Sequence, residues 1–302
     1  MKYLPKTAQL QAFRAVARRG SVRSAARELG VTQPGLSRTL RELEQTLGTQ
    51  LFLRSSEGVT LTEAGLAFSR RTEWIMEELR RAAEEVEQIN YFTHGRLTVG
   101  LSSLISLTVF PQIAQTYKSA LPQVTLTVRE GQLNSLLPGI RSGETDLAIG
   151  SIDPMRPPEG VMIEPLFTAP FCVIARKGHP HAQERDLFAL KDARWLLPES
   201  TEGYYHHLQN ELAHFYRQIS VTPLRTDSVI TGMNMVLGSD YLTIVARAAA
   251  SPLQMADKLV TLPISQLPAA QYCAVWSQKS AMTTNARRFL DLLREACRGY
   301  AW

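Results

Sequence analysis

With 302 residues, the chain is too long for one hydrophobic core of ordinary size, so two or three domains are expected. A hydrophobic content of 44% and a charged content of 20% describe a globular protein, and no apolar run approaches the ~20 residues that a membrane-spanning helix needs. The net charge of +5 is unevenly placed: residues 1–60 hold 10 Lys and Arg against 4 Asp and Glu, and the other 242 residues hold 23 against 24, which points to a polyanion partner at one end.

Met1-Lys2-Tyr3-Leu4-Pro5-Lys6 is followed by polar residues rather than a signal-peptide core, so a cytoplasmic protein is expected. Leu10, Phe13, Ala15, Val16 and Ala17 then recur at helical spacing over residues 7–19, and Gly20 ends that helix. Ser21 is a good N-cap for a second helix, Val22 to Leu29, with Ala25, Ala26 and Leu29 inward and Gly30 making the turn. Thr32 caps a third helix, whose first turn accommodates Pro34. Leu36, Leu40, Leu43 and Leu47 form its apolar stripe, and Gln33, Ser37, Arg38 and Arg41 lie on the other face.

Two short helices meeting at a glycine, the second presenting polar and cationic residues from its N-terminal half, make a helix-turn-helix pattern. That half is the part that reaches base edges in a major groove. Arg and Gln make bidentate contacts to guanine and adenine, Ser37 suits a phosphate or a base, and the helix N-terminus favours a phosphate. A helical hairpin that only packs a core is the competing reading. Residues 51–61 read as two short strands around a turn, a β-wing with Arg54 at its base, after which Thr62 caps the next helix.

Ser21, Ala25-Ala26, Leu29, Thr32-Gln33-Pro34, Leu36-Ser37, Leu43-Glu44, Leu47-Gly48, Leu51-Phe52, Arg54, Leu61-Thr62 and Ala64-Gly65 fall in one register that resembles the N-terminal domain of LysR-type transcriptional regulators. The resemblance implies a winged helix-turn-helix domain over residues 1–61, with DNA contacts at Gln33, Pro34, Ser37, Arg38 and Arg54 and with Thr32 and Arg41 beside them. Gly35 stands where the family often has Ala, a choice that weakens a helix by up to ~1 kcal/mol.

Residues 62–92 contain no proline, and Phe68, Ile75, Leu79, Ala82, Val86 and Ile89 trace a heptad seam flanked by charge. One amphipathic helix on its own globular core is the plainer reading. Following a winged helix, a dimerisation helix that presents two recognition helices is the better one. The resemblance agrees: family linker helices pair antiparallel or nearly so, and family members commonly form homotetramers.

Phe92-Thr93-His94-Gly95 breaks the helix, and residues 93–302 alternate strands and helices. Strands are expected at Leu97–Leu101, Val124–Arg129, Leu147–Ile149, Phe171–Ala175, Trp195–Leu197, Pro223–Thr226, Tyr241–Val245 and Gln271–Trp276. Helices are expected at Ile105–Ser119, Leu133–Arg141, Tyr204–Tyr216, Val229–Leu237 and Thr284–Arg298. Such alternation implies a parallel sheet, with Gly150 to Gly160 as a crossing. The fold class is α/β after a helix-rich winged domain, in two lobes: one over about residues 95–160 and 271–302, the other over about 161–270. This resembles the family's effector-binding domain, itself similar to periplasmic solute-binding proteins. Leu121-Pro122-Gln123-Val124, residues 143–149 and Gly178-His179-Pro180 are family-like, whereas Ala246 stands where the family often has Pro.

Ligands of open α/β sheets bind beyond the carboxyl ends of the strands. Ser102 and Ser103 follow the first strand and open a helix, and the resemblance makes Ser102 the leading effector contact. Thr201 and Tyr204 occupy the equivalent loop of the second lobe, and Ser228 and Thr231 begin a helix facing the same crevice; ordinary N-capping is the plainer explanation of each. A small organic acid is the expected effector, because a helix N-terminus faces the crevice. Cys172, Cys273 and Cys297 form no CxxC, and the first two sit in strand-like runs as core thiols. His179/His181 and His206/His207 lack partners at metal-ligand spacing, and no catalytic or cofactor motif appears, so no enzyme activity, cofactor or metal is expected.

The sequence thus implies a ligand-responsive regulator whose partners are double-stranded promoter DNA with an inverted repeat, a small-molecule effector, further copies of itself and RNA polymerase, with no membrane. A cytoplasmic α/β solute-binding protein or enzyme carrying a helical interaction module is the alternative.

Overall fold

The apolar spacing of the first sixty residues produces three helices, α1 (Thr7–Arg19), α2 (Val22–Glu28) and α3 (Gln33–Leu47), followed by the hairpin β1 (Phe52–Ser55) and β2 (Gly58–Leu61) and the long helix α4 (Glu63–Asn90). These come from a computed structural model that describes residues 4–55, 58–90, 95–152, 156–199, 208, 211–250, 257–265 and 267–302. The chain divides into two compact units, Met1–Val86 and Glu87–Trp302.

In the first unit, Phe13, Val16, Ala25, Leu36, Leu40, Leu43, Leu51 and Phe52 form one buried cluster. The Phe13 ring meets Phe52 at 5.1 Å and Phe68 at 5.0 Å, joining α1, the hairpin and α4. Phe68 therefore packs on this core, whereas Ile75, Leu79 and Val86 of the expected seam are exposed. Ser21 caps α2 by accepting the Ser24 N–H at 3.4 Å, and Gly30 takes φ 66°, a left-handed turn that a side chain would strain. At Gly65 a Cβ would lie 2.1 Å from the Leu51 carbonyl oxygen, so only glycine lets α4 approach the base of the hairpin this closely.

The second unit continues with β3 (Arg96–Leu101), α5 (Ser103–Leu107), α6 (Phe110–Ala120), β4 (Thr125–Glu130), α7 (Leu133–Ser142), β5 (Leu147–Ile152) and β6 (Val161–Arg176). There follow β7 (Arg194–Pro198), the short α8 (Ala213–Tyr216), β8 (Leu224–Thr226), α9 (Val229–Leu237), β9 (Tyr241–Ala246), β10 (Leu259–Thr261), β11 (Ala269–Ser277) and α10 (Thr284–Gly299). The strands make one sheet in the order β4-β3-β5-β11-β6-β9-β7-β8, with β10 on β6.

That sheet is mixed, not parallel as expected. β3 is parallel to β4 and β5, and β7 to β8 and β9, but β11 runs antiparallel to both β5 and β6, and β6 antiparallel to β9. β6 is also 16 residues long where a short strand over Phe171–Ala175 was expected. Its first part pairs with β11 and its last part with β9 and β10, so the passage between lobes runs inside β6 and the second lobe does not begin at residue 161. Pro165 and Pro170 hid this from the sequence, since proline lacks the N–H of a ladder. The register shifts at Pro165, where Tyr272 and Cys273 of β11 face Phe167 and Pro165 and leave Leu166 without an opposite residue.

The helix expected over Ile105–Ser119 is two helices, α5 and α6, broken at Thr108. Pro111 has no N–H for the Leu107 carbonyl, and it is tolerated only in the first turn of a new helix. Ala246, at the family-variant position, leads straight into a 3-10 turn over Arg247–Ala250. Most of the helix expected over Tyr204–Tyr216 lies outside the described residues.

Each lobe buries both faces of its sheet. In the first, Leu97, Val99, Leu147 and Ile149 pack with Tyr117 and Phe289, while Ala148, Cys273 and Val275 pack with Leu136 and Ile140 of α7. In the second, Phe171 and Val173 pack with Trp195 and Phe215, and Cys172 and Ile174 with Met233 and Val236. Alternating side chains of one strand thus enter opposite cores. Arg294 of α10 ties itself to β6 through Glu164 with contacts of 2.7 and 2.6 Å, and this guanidinium holds the Glu164 carboxyl below the usual carboxylate range.

Asp146 explains the family-like stretch before β5. Its Oδ2 accepts the buried Thr98 N–H at 2.8 Å while its own N–H donates to the Thr98 carbonyl at 2.9 Å. Asp146→Ala would leave that N–H unpaired and is expected to cost about 1–3 kcal/mol, whereas Asp146→Asn keeps an acceptor and loses less. Urea unfolding of the two variants checks this ordering.

Candidate functional site

Two surfaces carry the candidate residues. The first is α3. Its N-cap Thr32 accepts the Gly35 N–H at 3.3 Å, so this hydroxyl is engaged in starting the helix. Leu36, Leu40 and Leu43 are buried, which turns Gln33, Pro34, Arg38 and Arg41 outward to full exposure, with Ser37 half-buried between them. The Arg38 side chain is 78% exposed and pairs with Glu42 one turn on at 3.0 Å, an exposed bond of little net worth that another anion readily replaces. Arg41 Nε reaches only the Ser37 carbonyl, at 3.3 Å. Both cations therefore lean on their own helix.

The hairpin is fixed to this helix by contacts that sequence patterning did not identify. Glu44 Oε1 accepts the N–H groups of Leu51 and Phe52 at 2.8 and 3.2 Å. The Val59 N–H donates to the Gly20 carbonyl at 3.0 Å, and the Thr62 hydroxyl donates to the Gln50 carbonyl at 2.8 Å. Arg54 stands opposite Val59 in the hairpin register, and its side chain lies outside the described residues. Arg18 and Arg19 are both paired with Glu28, the latter at 2.6 Å, leaving Arg23 and Arg27 of α2 as further exposed cations.

The second surface is a cleft of about 1020 Å³ between the two lobes, at the carboxyl ends of the parallel strands. Ser102, Ser103 and Ser228 line it. The Ser102 Oγ is buried and makes no hydrogen bond, although the residue stands at the N-cap of α5. It is held there by its backbone, the N–H donating to the Ile149 carbonyl at 2.9 Å and the carbonyl accepting from Ser106 at 3.1 Å. Ser103 Oγ donates to Glu130 at 2.7 Å, and Ser228 Oγ accepts the Thr231 N–H at 3.2 Å as the cap of α9. Thr231 itself is exposed and does not line the cleft, and Thr201 and Tyr204 lie outside the described residues.

Sequence reasoning missed Glu130, Gln132, Ser151, Glu199, Asp227 and Tyr272, all of which line the cleft. Glu130, Glu199 and Asp227 stand at or just past the ends of β4, β7 and β8, so the strand-end rule that selected Ser102 would have found them had it been applied to every strand.

Cys172, Cys273 and Cys297 are buried free thiols, and burial pushes them up to about 11, 11 and 12. His179 is structural: its Nδ1 accepts the His181 N–H at 3.0 Å and its Nε2 lies 3.3 Å from the Asp240 carbonyl. Among the described residues, no group of His, Cys, Asp and Glu is placed to hold a metal ion.

Comparison with known proteins matches two stretches of the chain. Residues 7–66 match the model of the bacterial regulatory helix-turn-helix protein, lysR family, and residues 92–298 match that of the LysR substrate binding domain. The HTH-type transcriptional regulator TdcA of Escherichia coli (strain K12) is 35% identical over 294 residues, covering 97% of this chain and 93% of the relative. The hydrogen peroxide-inducible genes activator of Pectobacterium carotovorum subsp. carotovorum is 28% identical over 95% of both proteins. Full-length CbnR complexed with its target DNA shares the fold at a TM-score of 0.70 with 18% identity, over 96% of this chain and 99% of that one. A full-length OxyR variant from Pseudomonas aeruginosa does so at 0.69 with 22% identity, over 99% and 96%. The chain belongs to the LysR-type family of transcriptional regulators, with a helix-turn-helix DNA-binding domain ahead of an effector-binding domain.

Proposed function

We propose that this regulator grips promoter DNA as a homodimer, reading each half of an inverted repeat with α3 and the adjoining hairpin, and changes that grip when a small molecule enters the cleft. The observation that carries the reading is the outward row on α3: Gln33, Pro34, Ser37, Arg38 and Arg41 face away from a leucine-lined core and are restrained only by their own helix. Arg38 and Gln33 are the base-reading residues, Ser37 and Arg41 bind phosphate or base beside them, Thr32 sets the helix start, and Arg54 serves the backbone or minor groove from the hairpin.

The dimer forms through α4. Ile75, Leu79, Ala82 and Val86 are exposed on one heptad-spaced line, with Leu79 at 49% and Val86 at 60% exposure. Tetramers built from such dimers, RNA polymerase as a further partner and a cytoplasmic location complete the reading, and no described helix is long and apolar enough to cross a membrane. Some relatives are named for a peroxide response. Here all three thiols are buried and have raised pKa values, the opposite of a reactive cysteine, so the cleft is the sensing element. Ser102 is the central effector contact, with Ser103 and Ser228 on either side.

Selection of genomic fragments on the purified protein supplies the cognate site. On that site Arg38→Ala is expected to weaken binding by about 1–3 kcal/mol. Unchanged affinity in a fluorescence-anisotropy titration removes Arg38 from the reading set. Leu79→Asp places charge in the seam and should shift the protein to monomers in sedimentation velocity. A dimer that survives would place the interface elsewhere. Ser102→Ala should bind DNA normally yet lose the effector response, which is worth ~1–3 kcal/mol for a typical allosteric coupling. A normal response in a reporter assay sinks the site.

A further inference from the structure

The charge of the cleft specifies its ligand more closely than its shape does, on the reading that the cleft is the effector site. Among the described residues, three carboxylates, Glu130, Glu199 and Asp227, line it, and no Lys or Arg does. The stretches outside the described residues in this unit that follow residue 152, namely 153–155, 200–207, 209–210, 251–256 and 266, also contain neither Lys nor Arg.

Two contacts place these residues around the cleft. The Glu199 N–H donates to the Thr226 carbonyl at 2.8 Å, which puts Glu199 and Asp227 at adjacent strand ends of the second lobe. Gln132, two residues past Glu130 in the first lobe, spans the cleft to donate to the Glu199 carbonyl at 3.4 Å. The Glu130 carboxylate meets only the neutral Ser103 hydroxyl, and no described cation pairs with Glu199 or Asp227. Their placement does not suit a metal ion.

An independent observation marks the same cavity as built for an organic ligand. The Ser102 Oγ is buried in the wall of the cleft without a hydrogen-bond partner, a costly state for a polar atom that a ligand group would relieve once the hydroxyl turns toward it. Leu133 and Ile230, the latter 51% exposed, add apolar wall on opposite lobes.

A simple organic anion, the effector expected from sequence, would enter a cavity with three like charges and no Lys or Arg among its described lining residues to receive it. An ammonium group would exchange water for charge-assisted hydrogen bonds to carboxylates, and apolar walls would concentrate the field on it. We infer that the effector is a small organic molecule bearing a primary ammonium group, which sits in the field of Glu130, Glu199 and Asp227 while its hydrogen-bonding end meets Ser102 and its hydrocarbon lies on Leu133 and Ile230.

The test is isothermal calorimetry on the full chain with the common L-amino acids, the amines that lack their carboxyl group, and the 2-hydroxy acids in which hydroxyl replaces ammonium. At least one ammonium compound should bind, its hydroxy-acid counterpart should bind at least about 10-fold more weakly or not at all, and Asp227→Asn or Glu199→Gln should weaken binding by about 10-fold, a loss of ~1.4 kcal/mol. Both residues are exposed, so each variant should retain the wild-type melting temperature. In Asp227→Lys the preference should shift toward the hydroxy acid. A 2-hydroxy acid that binds wild-type protein as well as its amino counterpart, and loses binding in Ser102→Ala, overturns the ammonium inference and leaves the cleft as the effector site. An ammonium compound whose affinity survives Ser102→Ala and both carboxylate variants overturns the inference and the cleft reading together. A panel in which nothing binds overturns the inference.

Discussion

The antiparallel pairing of β6 with β11 holds the effector domain together. Without it there would be two parallel half-sheets, β4-β3-β5 and β9-β7-β8, each with its own pair of cores. Because β6 passes from one half to the other in extended conformation, the cleft lies over a continuous sheet and not over a flexible linker. The irregularity at Pro165 falls in this shared segment, beside a stack in which Phe167 faces Tyr272 at 5.0 Å and Trp302 at 3.4 Å. Tyr272 also lines the cleft. One ring therefore belongs both to the ligand cavity and to the packing of the segment about which the lobes would bend.

Charge is segregated to match. The excess of cations lies in the first sixty residues, where Arg38 and Arg41 stand exposed on α3, and carboxylates line the cleft. A polyanion drawn to the first surface is repelled by the second. Both surfaces rest on the same device: chain ends of regular elements, where backbone polar groups stop pairing with each other.

Much of the DNA-binding unit was legible from residue order because its determinants are local. Gly30, Thr32 and Pro34 act within one turn, and the leucine stripe of α3 follows from its period alone. Glu44, which holds the approach to the hairpin, was invisible in that reading, since its partners Leu51 and Phe52 are fixed by folding rather than by pattern. In the effector domain most strand positions were legible, β10 and the first part of β6 excepted, and strand directions were not. Alternating strands and helices imply parallel neighbours, but β11 inserts between β5 and β6 from far along the chain, and two prolines hid the first part of β6. The lining of the cleft was hidden for a related reason: a helix N-terminus was visible in sequence, whereas carboxylates contributed by three separate strand ends were not.

The close contact at Gly65 has a consequence for the spacing of DNA sites. With no side chain between α4 and the Leu51 carbonyl, α4 is seated directly on the reading head and its direction is set by α3 and the hairpin. In a dimer paired along α4, the helix then acts as a ruler. Its 28 residues span about 42 Å, and one heptad is about 10 Å, or roughly three base pairs. A slip of a single heptad would move the two reading heads out of successive major grooves, which lie ~34–36 Å apart. The register of a handful of apolar residues on α4 is therefore what would decide which gap between half-sites this protein accepts.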